Sequence, residues 1–196
     1  SGTPNNSRRH NFHVLFDPSI EVGVIREQFL NCLSSGYKIQ DNTEWQQTPT
    51  PRSLEELGRQ IKAAAPPENN IHTKSDLIVG FENITYKLED ILKQLDKNCF
   101  KGKFVTAIGY SEWDQSRWNQ SAAEKRTLIN SANFCLTSLD DPSTISKNRN
   151  DLITNKLHSL ILHSSDAHNL NRIGQSMLWI KADPTFSGLK QLINES

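Results

Sequence analysis

Short apolar runs of strand length alternate along the chain with longer segments whose apolar residues recur at helical spacing. Strands are predicted over residues 11–16, 104–108, 134–139, 157–162 and 177–181. Helices are predicted over residues 18–35, 53–65, 84–95 and 121–131, after residue 142, and from residue 184 to the end. This alternation predicts an α/β domain with mainly parallel strands.

The predicted helix starts carry capping residues. Asp17-Pro18, Asp141-Pro142 and Asp183-Pro184 each place an N-cap residue before a proline suited to the first helical position. Ser53-Leu54-Glu55-Glu56 has the spacing of a capping box. Residues 37–52 are polar and rich in Thr, Gln and Pro, so they are predicted to form a long loop that could cover a site.

Length and charge narrow the class of protein. A chain of 196 residues, 35% of them hydrophobic, can bury one sizeable core, so a single domain over residues 1–196 is predicted. Lys plus Arg equals Asp plus Glu at 22 each, so no net positive field attracts the protein to nucleic acid. Any contact with nucleic acid must therefore be local.

The number and spacing of the cysteines, together with the hydropathy of the chain, predict its cellular compartment. Cys32, Cys99 and Cys135 are odd in number, far apart and set in apolar stretches, which is typical of reduced thiols. No apolar run approaches the ~20 residues of a membrane span, and the N-terminus lacks a signal-peptide pattern. We therefore expect a cytoplasmic protein without membrane contact, disulfides or a cysteine-based zinc site.

The clearest candidate chemistry follows the strand predicted at 157–162. In extended backbone, Asp166 and His168 present a carboxylate oxygen and an imidazole nitrogen to the same point, with His163 nearby. Such a corner can bind a metal ion. The alternative is that Asp166 caps a turn and His168 is a surface histidine, which is the commoner outcome for an isolated D-x-H.

Four further residues are candidates for substrate binding. Glu112 and Asp114 follow the strand predicted at 104–108 and are flanked by aromatic residues, although an ordinary βα loop with packed Trp side chains is the commoner explanation of such a stretch. Lys181 and Arg172 could each contact a phosphate or be solvated surface charges.

A family resemblance strengthens the metal interpretation. His163-Ser164-Ser165-Asp166-Ala167-His168, then Ile173-Gly174, then Trp179-Ile180-Lys181-Ala182-Asp183-Pro184-Thr185-Phe186, resembles the end of the PHP (polymerase and histidinol phosphatase) domain in its TrlF-type branch. A weaker likeness includes residues 11–18 and 101–104.

The resemblance implies a fold and a chemistry. PHP domains are distorted (β/α)7 barrels that bind up to three divalent metals, commonly Zn, Mn or Fe, and hydrolyse phosphate esters. Carried over to this chain, it implies that Asp166 and His168 are metal ligands, assisted by His13 and His163. A lone histidine beside apolar residues, such as His13, is otherwise more often a satisfied core residue.

The chain departs from the family pattern before His13. The opening H-x-H strand and the Gly-x-Glu of the family have no counterpart there, and no clear middle histidine follows the strand predicted at 104–108. The resemblance therefore implies a partial barrel, the C-terminal two-thirds of a PHP domain, which alone should bind metal weakly and could lose it.

Two functions remain open. The first is a metal-dependent phosphoesterase domain acting on a phosphate ester, with nucleic acid or a nucleotide as the favoured class. The second is a non-catalytic PHP remnant that serves as an interaction or regulatory module. In either case the family implies an AAA-like ATPase domain as partner, on the same or another chain. An unrelated α/β domain with accidental similarity is a third alternative.

Overall fold

The structure is a computed structural model that describes residues 11–40, 43–109, 118–137, 141–157, 160–163, 169–173 and 180–195. The chain divides into two compact units. Unit 1 contains Ser1–Pro18 and Gly102–Ser196, and unit 2 is Ser19–Lys101, inserted into the sequence of unit 1. A single domain over residues 1–196 stays a prediction, because two compact units can belong to one domain.

The described elements alternate along the chain. The strands are β1 (Phe12–Phe16), β2 (Ser35–Gln40), β3 (Thr43–Gln47), β4 (Thr85–Tyr86), β5 (Phe104–Ile108), β6 (Phe134–Thr137) and β7 (Leu160–His163). The α-helices are α1 (Val22–Gln28), α2 (Pro51–Ala64), α3 (Asp76–Asn83), α4 (Leu88–Leu95), α5 (Trp118–Asn130), α6 (Pro142–Thr154) and α7 (Phe186–Asn194). None of these helices is both long and apolar enough to cross a membrane.

The four strands of unit 1 form one sheet in the order β1-β5-β6-β7. Strands β5, β6 and β7 run parallel, with α5 and α6 between them in sequence, whereas β1 pairs antiparallel with β5 at one end of the sheet. The prediction of an α/β fold with mainly parallel strands is confirmed for this unit. Among the described strands the sheet is open, so the seven-stranded barrel stays a prediction.

The sheet of unit 1 is covered on both faces. On one face Val105, Ala107 and Phe134 are buried together. Helix α7 packs against this face through four apolar side chains: Phe186, Leu189, Leu192 and Ile193. On the other face Thr106 and Thr137 are at most 2% exposed, and Thr106 Oγ1 donates to the carbonyl of Ser131 at 3.0 Å. Burial on both faces is typical of a parallel sheet.

Capping in unit 1 agrees with the prediction at one helix only. Asp141 caps α6 with Pro142 in its first turn, as predicted. The cap predicted at Asp183 is wrong, because Thr185 Oγ1 accepts the Gly188 amide at 3.0 Å and α7 begins at Phe186. The cap predicted at Asp17 is wrong too. Its amide donates to the Lys103 carbonyl at 2.8 Å, extending the strand pairing beyond β1, and α1 begins only at Val22.

Two strand boundaries also differ from the prediction. The strand predicted at 157–162 begins later, since the Leu157 amide donates to the Leu152 carbonyl at 3.0 Å and so belongs to the end of α6. Of the strand predicted at 177–181, Ile180 and Lys181 are not in a strand, and residues 177–179 lie outside the described residues.

Unit 2 contains a three-stranded antiparallel sheet in the order β3-β2-β4. The long loop predicted at 37–52 is therefore wrong, because β2 and β3 form a hairpin there. Tyr37 lies opposite Trp45, and both pack into the core of the unit. Lys38 lies opposite Glu44, and both are exposed. The polar side chains of the outer face concealed the alternation expected of a strand.

Helix α2 begins at Pro51, two residues earlier than predicted. Thr50 Oγ1 accepts the Ser53 amide at 3.1 Å, and Ser53 Oγ accepts the Thr50 amide at 2.8 Å, so the capping box joins these two residues. The helix predicted from Ile84 begins at Leu88, because Thr85–Tyr86 pair with β2 instead. Helix α3 was not predicted.

Helices α2 and α3 meet through two glycines, which we call the glycine crossing. A Cβ atom on Gly58 would lie 1.9 Å from the Asp76 carbonyl oxygen, and one on Gly80 would lie 2.0 Å from that of Leu54. No larger residue fits at either position without moving backbone. Lys62 Nζ lies 2.8 Å from the Asp76 carboxylate beside this contact.

Candidate functional site

The carboxyl ends of three parallel strands in unit 1 lie along one edge of the sheet. Ala107 and Ile108 pair with Phe134 and Cys135, and further along β6 Thr137 pairs with His163. The antiparallel β1 begins at this same edge, where the Gly109 amide donates to the Asn11 carbonyl at 3.4 Å. In open parallel sheets, ligands bind beyond the carboxyl ends of the strands.

His163 is the last residue of β7 and therefore lies at this carboxyl edge. Its register partner Thr137 is 1% exposed, and His163 itself is half-buried. Since residues two apart in a strand share a face, His163 lies on the face of Ile161 and Cys135. An imidazole at this position is a suitable ligand for a divalent metal.

His13 lies elsewhere on the sheet. It pairs with Ala107, which in turn pairs with Phe134, so it belongs to the face covered by α7. Strands β1 and β7 are three strand spacings apart, about 14 Å, and the two histidines are also offset by about 10 Å along the strands. The structure does not bring His13 and His163 together, so one metal ion cannot bind both.

Most of the other predicted site residues are not among those that the structure describes. Asp166, His168, Glu112 and Asp114 lie outside the described residues. The backbone of Arg172 ends a 3-10 helix, Leu170–Arg172, but its side chain is not among those described. Lys181 is exposed in a bend before α7. The predicted metal and phosphate contacts of these residues stay predictions.

The described residues contain no group of three or more His, Cys, Asp and Glu side chains arranged to hold a metal ion. One acidic residue that follows β6 in sequence, Asp141, uses its carboxylate to cap α6. Its carboxylate accepts the Ser143 hydroxyl at 2.5 Å, the Thr144 hydroxyl at 2.6 Å and the Thr144 amide at 3.0 Å. These hydrogen bonds, Ser143 foremost, lower the pKa of Asp141 to about 2.

A cavity of about 560 Å³ opens on the face of the sheet that α7 covers. His13, which is exposed, is the one ionisable side chain among the described residues that line it. The rest of the lining is apolar and includes Leu15, Phe134, Leu162 and Leu189. The sequence analysis missed this cavity. The alternation of apolar residues in β1, β6 and β7 was its only signal, and that alternation is equally typical of a filled core.

A second, smaller cavity of about 380 Å³ lies beside the start of α7. Its lining includes Phe16, Ile180, Pro184 and Phe186. This lining too is mostly apolar, and Asp183 is the one ionisable side chain among the described residues that line it.

Searches of protein-family models, of curated proteins and of solved structures find no match to this chain.

Proposed function

We propose that unit 1 is a metal-dependent phosphoesterase unit whose site lies at the carboxyl edge of β5, β6 and β7. The observation that carries this proposal is the parallel pairing of β6 with β7, which ends at Thr137 opposite His163. Asp166 and His168 follow His163 within a few residues of sequence, and the edge of the sheet at which His163 ends β7 is the one where such folds bind ligands.

The donor set suits the metals implied by the resemblance. One carboxylate, Asp166, and two imidazoles, His163 and His168, are the oxygen and nitrogen ligands that Zn, Mn and Fe accept. When bound, such a metal supplies a hydroxide nucleophile at neutral pH and polarises a phosphoryl oxygen. His13 is excluded from this donor set by its place on the other face of the sheet.

The residues of the chain would contribute binding and orientation. Strand pairing fixes the backbone of His163 and the face of the sheet on which its imidazole lies. Lys181, Arg172, Glu112 and Asp114 are the proposed substrate contacts, and the substrate is a phosphate ester, with nucleic acid or a nucleotide favoured by the family's association with an AAA-like ATPase domain.

The experiment compares metal content and hydrolysis among matched variants. Metal bound per chain is measured after loading with Zn²⁺ or Mn²⁺, and hydrolysis of bis(p-nitrophenyl) phosphate is followed at neutral pH. Asp166→Ala, His168→Ala and His163→Ala should each lose most of the bound metal and the activity. His13→Ala is the control and should keep both. Metal binding and hydrolysis that survive all three substitutions would refute the proposal.

A non-catalytic PHP-like module is the second candidate. The observation that favours it is the separation of His13 from His163, which leaves one predicted ligand, His163, at the carboxyl edge among the described residues. If the wild-type chain neither retains metal nor hydrolyses the phosphodiester, while it binds an ATPase domain, this second function is the correct one.

A further inference from the structure

The two cavities of unit 1 lie side by side. Leu15 and Leu189 line both of them, so the larger cavity, of about 560 Å³, and the smaller one, of about 380 Å³, meet at these two side chains. Strand β1 contributes to both parts, with His13 in the larger cavity and Phe16 in the smaller. These two residues lie about 10 Å apart along the strand. We call this elongated space the β1 trough.

A small residue lies in the lining of the larger cavity. Ala107 pairs with His13 on one side and with Phe134 on the other, so the three residues form one row across the strands on the face that α7 covers. A methyl group occupies far less space than the rings on either side of it. Alanine at this position therefore leaves room that a larger residue would occupy.

The β1 trough is poorly suited to holding water. Strands β5 and β6 each pair with a neighbour on both sides, so their backbone groups are taken up by the sheet. Among the described residues that line the trough, only His13 and Asp183 have ionisable side chains. A water molecule in a cavity needs about two to four polar partners. Apolar ligand atoms that displace water from this lining gain the free energy of burial.

The two ionisable side chains differ in what they can bind. His13 lines the larger cavity and Asp183 lines the smaller one, and both are exposed. The imidazole of His13 can donate a hydrogen bond to an anionic group, whereas the carboxylate of Asp183 can only accept one and repels an anion. An anionic head group therefore has its favourable position beside His13. Its apolar chain would pass Leu15 toward Phe186 in the smaller cavity.

We propose that the β1 trough binds a single-chain aliphatic carboxylate, with the carboxylate at His13 and the chain between Leu15 and Leu189. Each of the two cavities lies within the range of about 300–1,000 Å³ that is usual for small-molecule sites. The inference does not depend on the phosphoesterase proposal, because it requires neither a metal ion nor hydrolysis.

Methyl NMR of the leucine side chains, with octanoate as the probe, tests both the binding and its location. The methyl signals of Leu15, Leu136, Leu162 and Leu189, all in the lining, should shift together and saturate. The dissociation constant should be on the order of 1 mM or lower. No shift of these signals at about 10 mM octanoate would overturn the proposal. Signals that shift with protein concentration alone would assign the trough to a second copy of the chain and would overturn it too.

A substitution where the two cavities meet tests whether the trough itself is the site. Leu15→Trp should fill the trough and weaken octanoate binding at least about tenfold, with little change in melting temperature, because Leu15 is 43% exposed. The matched control is Leu30→Trp in unit 2, where Leu30 is 48% exposed, and it should bind octanoate as the wild type does. Normal binding by Leu15→Trp would exclude the trough as the site.

Comparison of octanoate with octanol, its uncharged counterpart, tests the role of His13. The wild type should bind octanoate more tightly than octanol. His13→Leu should weaken octanoate binding roughly threefold to tenfold and leave octanol binding unchanged or tighter. Equal affinity of the wild type for the two probes, or an equal loss of both in His13→Leu, would overturn the assignment of the carboxylate to His13.

Discussion

The two units join their helices to their neighbours in different ways. In unit 1, α7 meets the sheet through large side chains, Phe186 and Leu189 among them, which pack against Phe134. In unit 2, α2 and α3 meet backbone to backbone at Gly58 and Gly80. Contact through large side chains is weakened when a side chain becomes smaller, whereas contact between backbones is disrupted when a side chain becomes larger. The apolar face of α7 is buried in unit 1, whereas Leu77, Ile78 and Phe81 of α3 in unit 2 are exposed.

Truncation in the core of unit 1 should have the largest effect on stability. Phe134 is 1% exposed at the centre of the face that α7 covers. Phe134→Ala should lower the free energy of unfolding by about 3–5 kcal/mol, through lost burial and the cavity left behind. Chemical denaturation monitored by circular dichroism measures this free energy. Leu15→Ala, at a residue 43% exposed on the same face, should cost under about 1 kcal/mol. Equal costs would show that unit 1 does not depend on this packing.

Enlargement at the glycine crossing should be nearly as damaging in unit 2. Gly80→Ala adds one methyl group where the Leu54 carbonyl oxygen lies 2.0 Å away, so α3 must move, at a cost of about 3 kcal/mol. Gly23→Ala is the matched control in α1, where a Cβ meets nothing within 4 Å, and it should be neutral or stabilise by up to ~1 kcal/mol. Stabilisation of the protein by both substitutions would contradict the close approach of α2 and α3 at Gly80.

The capping box of α2 should make a smaller contribution. Thr50→Ala removes the hydroxyl that accepts the Ser53 amide, and it should lower the free energy of unfolding by about 1 kcal/mol. Thr50→Ser keeps that hydroxyl and should retain most of the stability. A thermal melt of the three proteins compares them. An alanine variant as stable as the wild type would mean that Ser53 is satisfied without Thr50.

The smallest expected effect is a pH dependence at the cap of α6 in unit 1. The pKa of Asp141 is about 2 in the folded chain, below its ordinary value of 3.8, because Ser143 and Thr144 donate to the carboxylate. A lowered folded pKa stabilises the protein above pH ~4, and this contribution is lost as the pH falls toward 2. Asp141→Asn keeps a capping oxygen without titrating. The melting temperature of the wild type should therefore fall more steeply than that of Asp141→Asn between pH 5 and pH 2.5. Parallel curves would contradict the assignment.

Hydrophobic periodicity and capping residues correctly predicted those strands and helices that are determined by their own residues. The apolar strands β1, β5 and β6 were placed correctly at their starts to within one residue, and Asp141-Pro142 was identified as the start of α6. The caps predicted at Asp17 and Asp183 failed for a reason outside the local sequence. Asp17 is held in extended backbone by Lys103, which is distant in the chain, and Thr185 offers a better-placed hydroxyl than Asp183.

The predicted site shows the same limit: local sequence does not reveal contacts between residues that are distant in the chain. Sequence spacing identified the stretch after β7 as the likeliest source of metal ligands, and the structure does place His163 at the carboxyl edge of the sheet. The family likeness also suggested His13 as an additional ligand. Whether His13 can reach the same metal ion as His163 depends on the order of the strands and on the face of the sheet. Sequence spacing gives neither. Strand pairing puts His13 on the other face, where it lines an apolar cavity instead.

The sequence by itself determined the α/β character of unit 1, the positions of its apolar strands and the cap of α6, because periodicity and capping are properties of neighbouring residues. Only the tertiary structure decided the hairpin of β2 and β3, the separation of His13 from His163 and the exposure of apolar residues on α3. Each of these depends on contact between residues far apart in the chain. At α3 the backbone of Leu54 lies against Gly80 while Leu77 and Phe81 stay exposed, an arrangement that no pattern of neighbouring residues predicts.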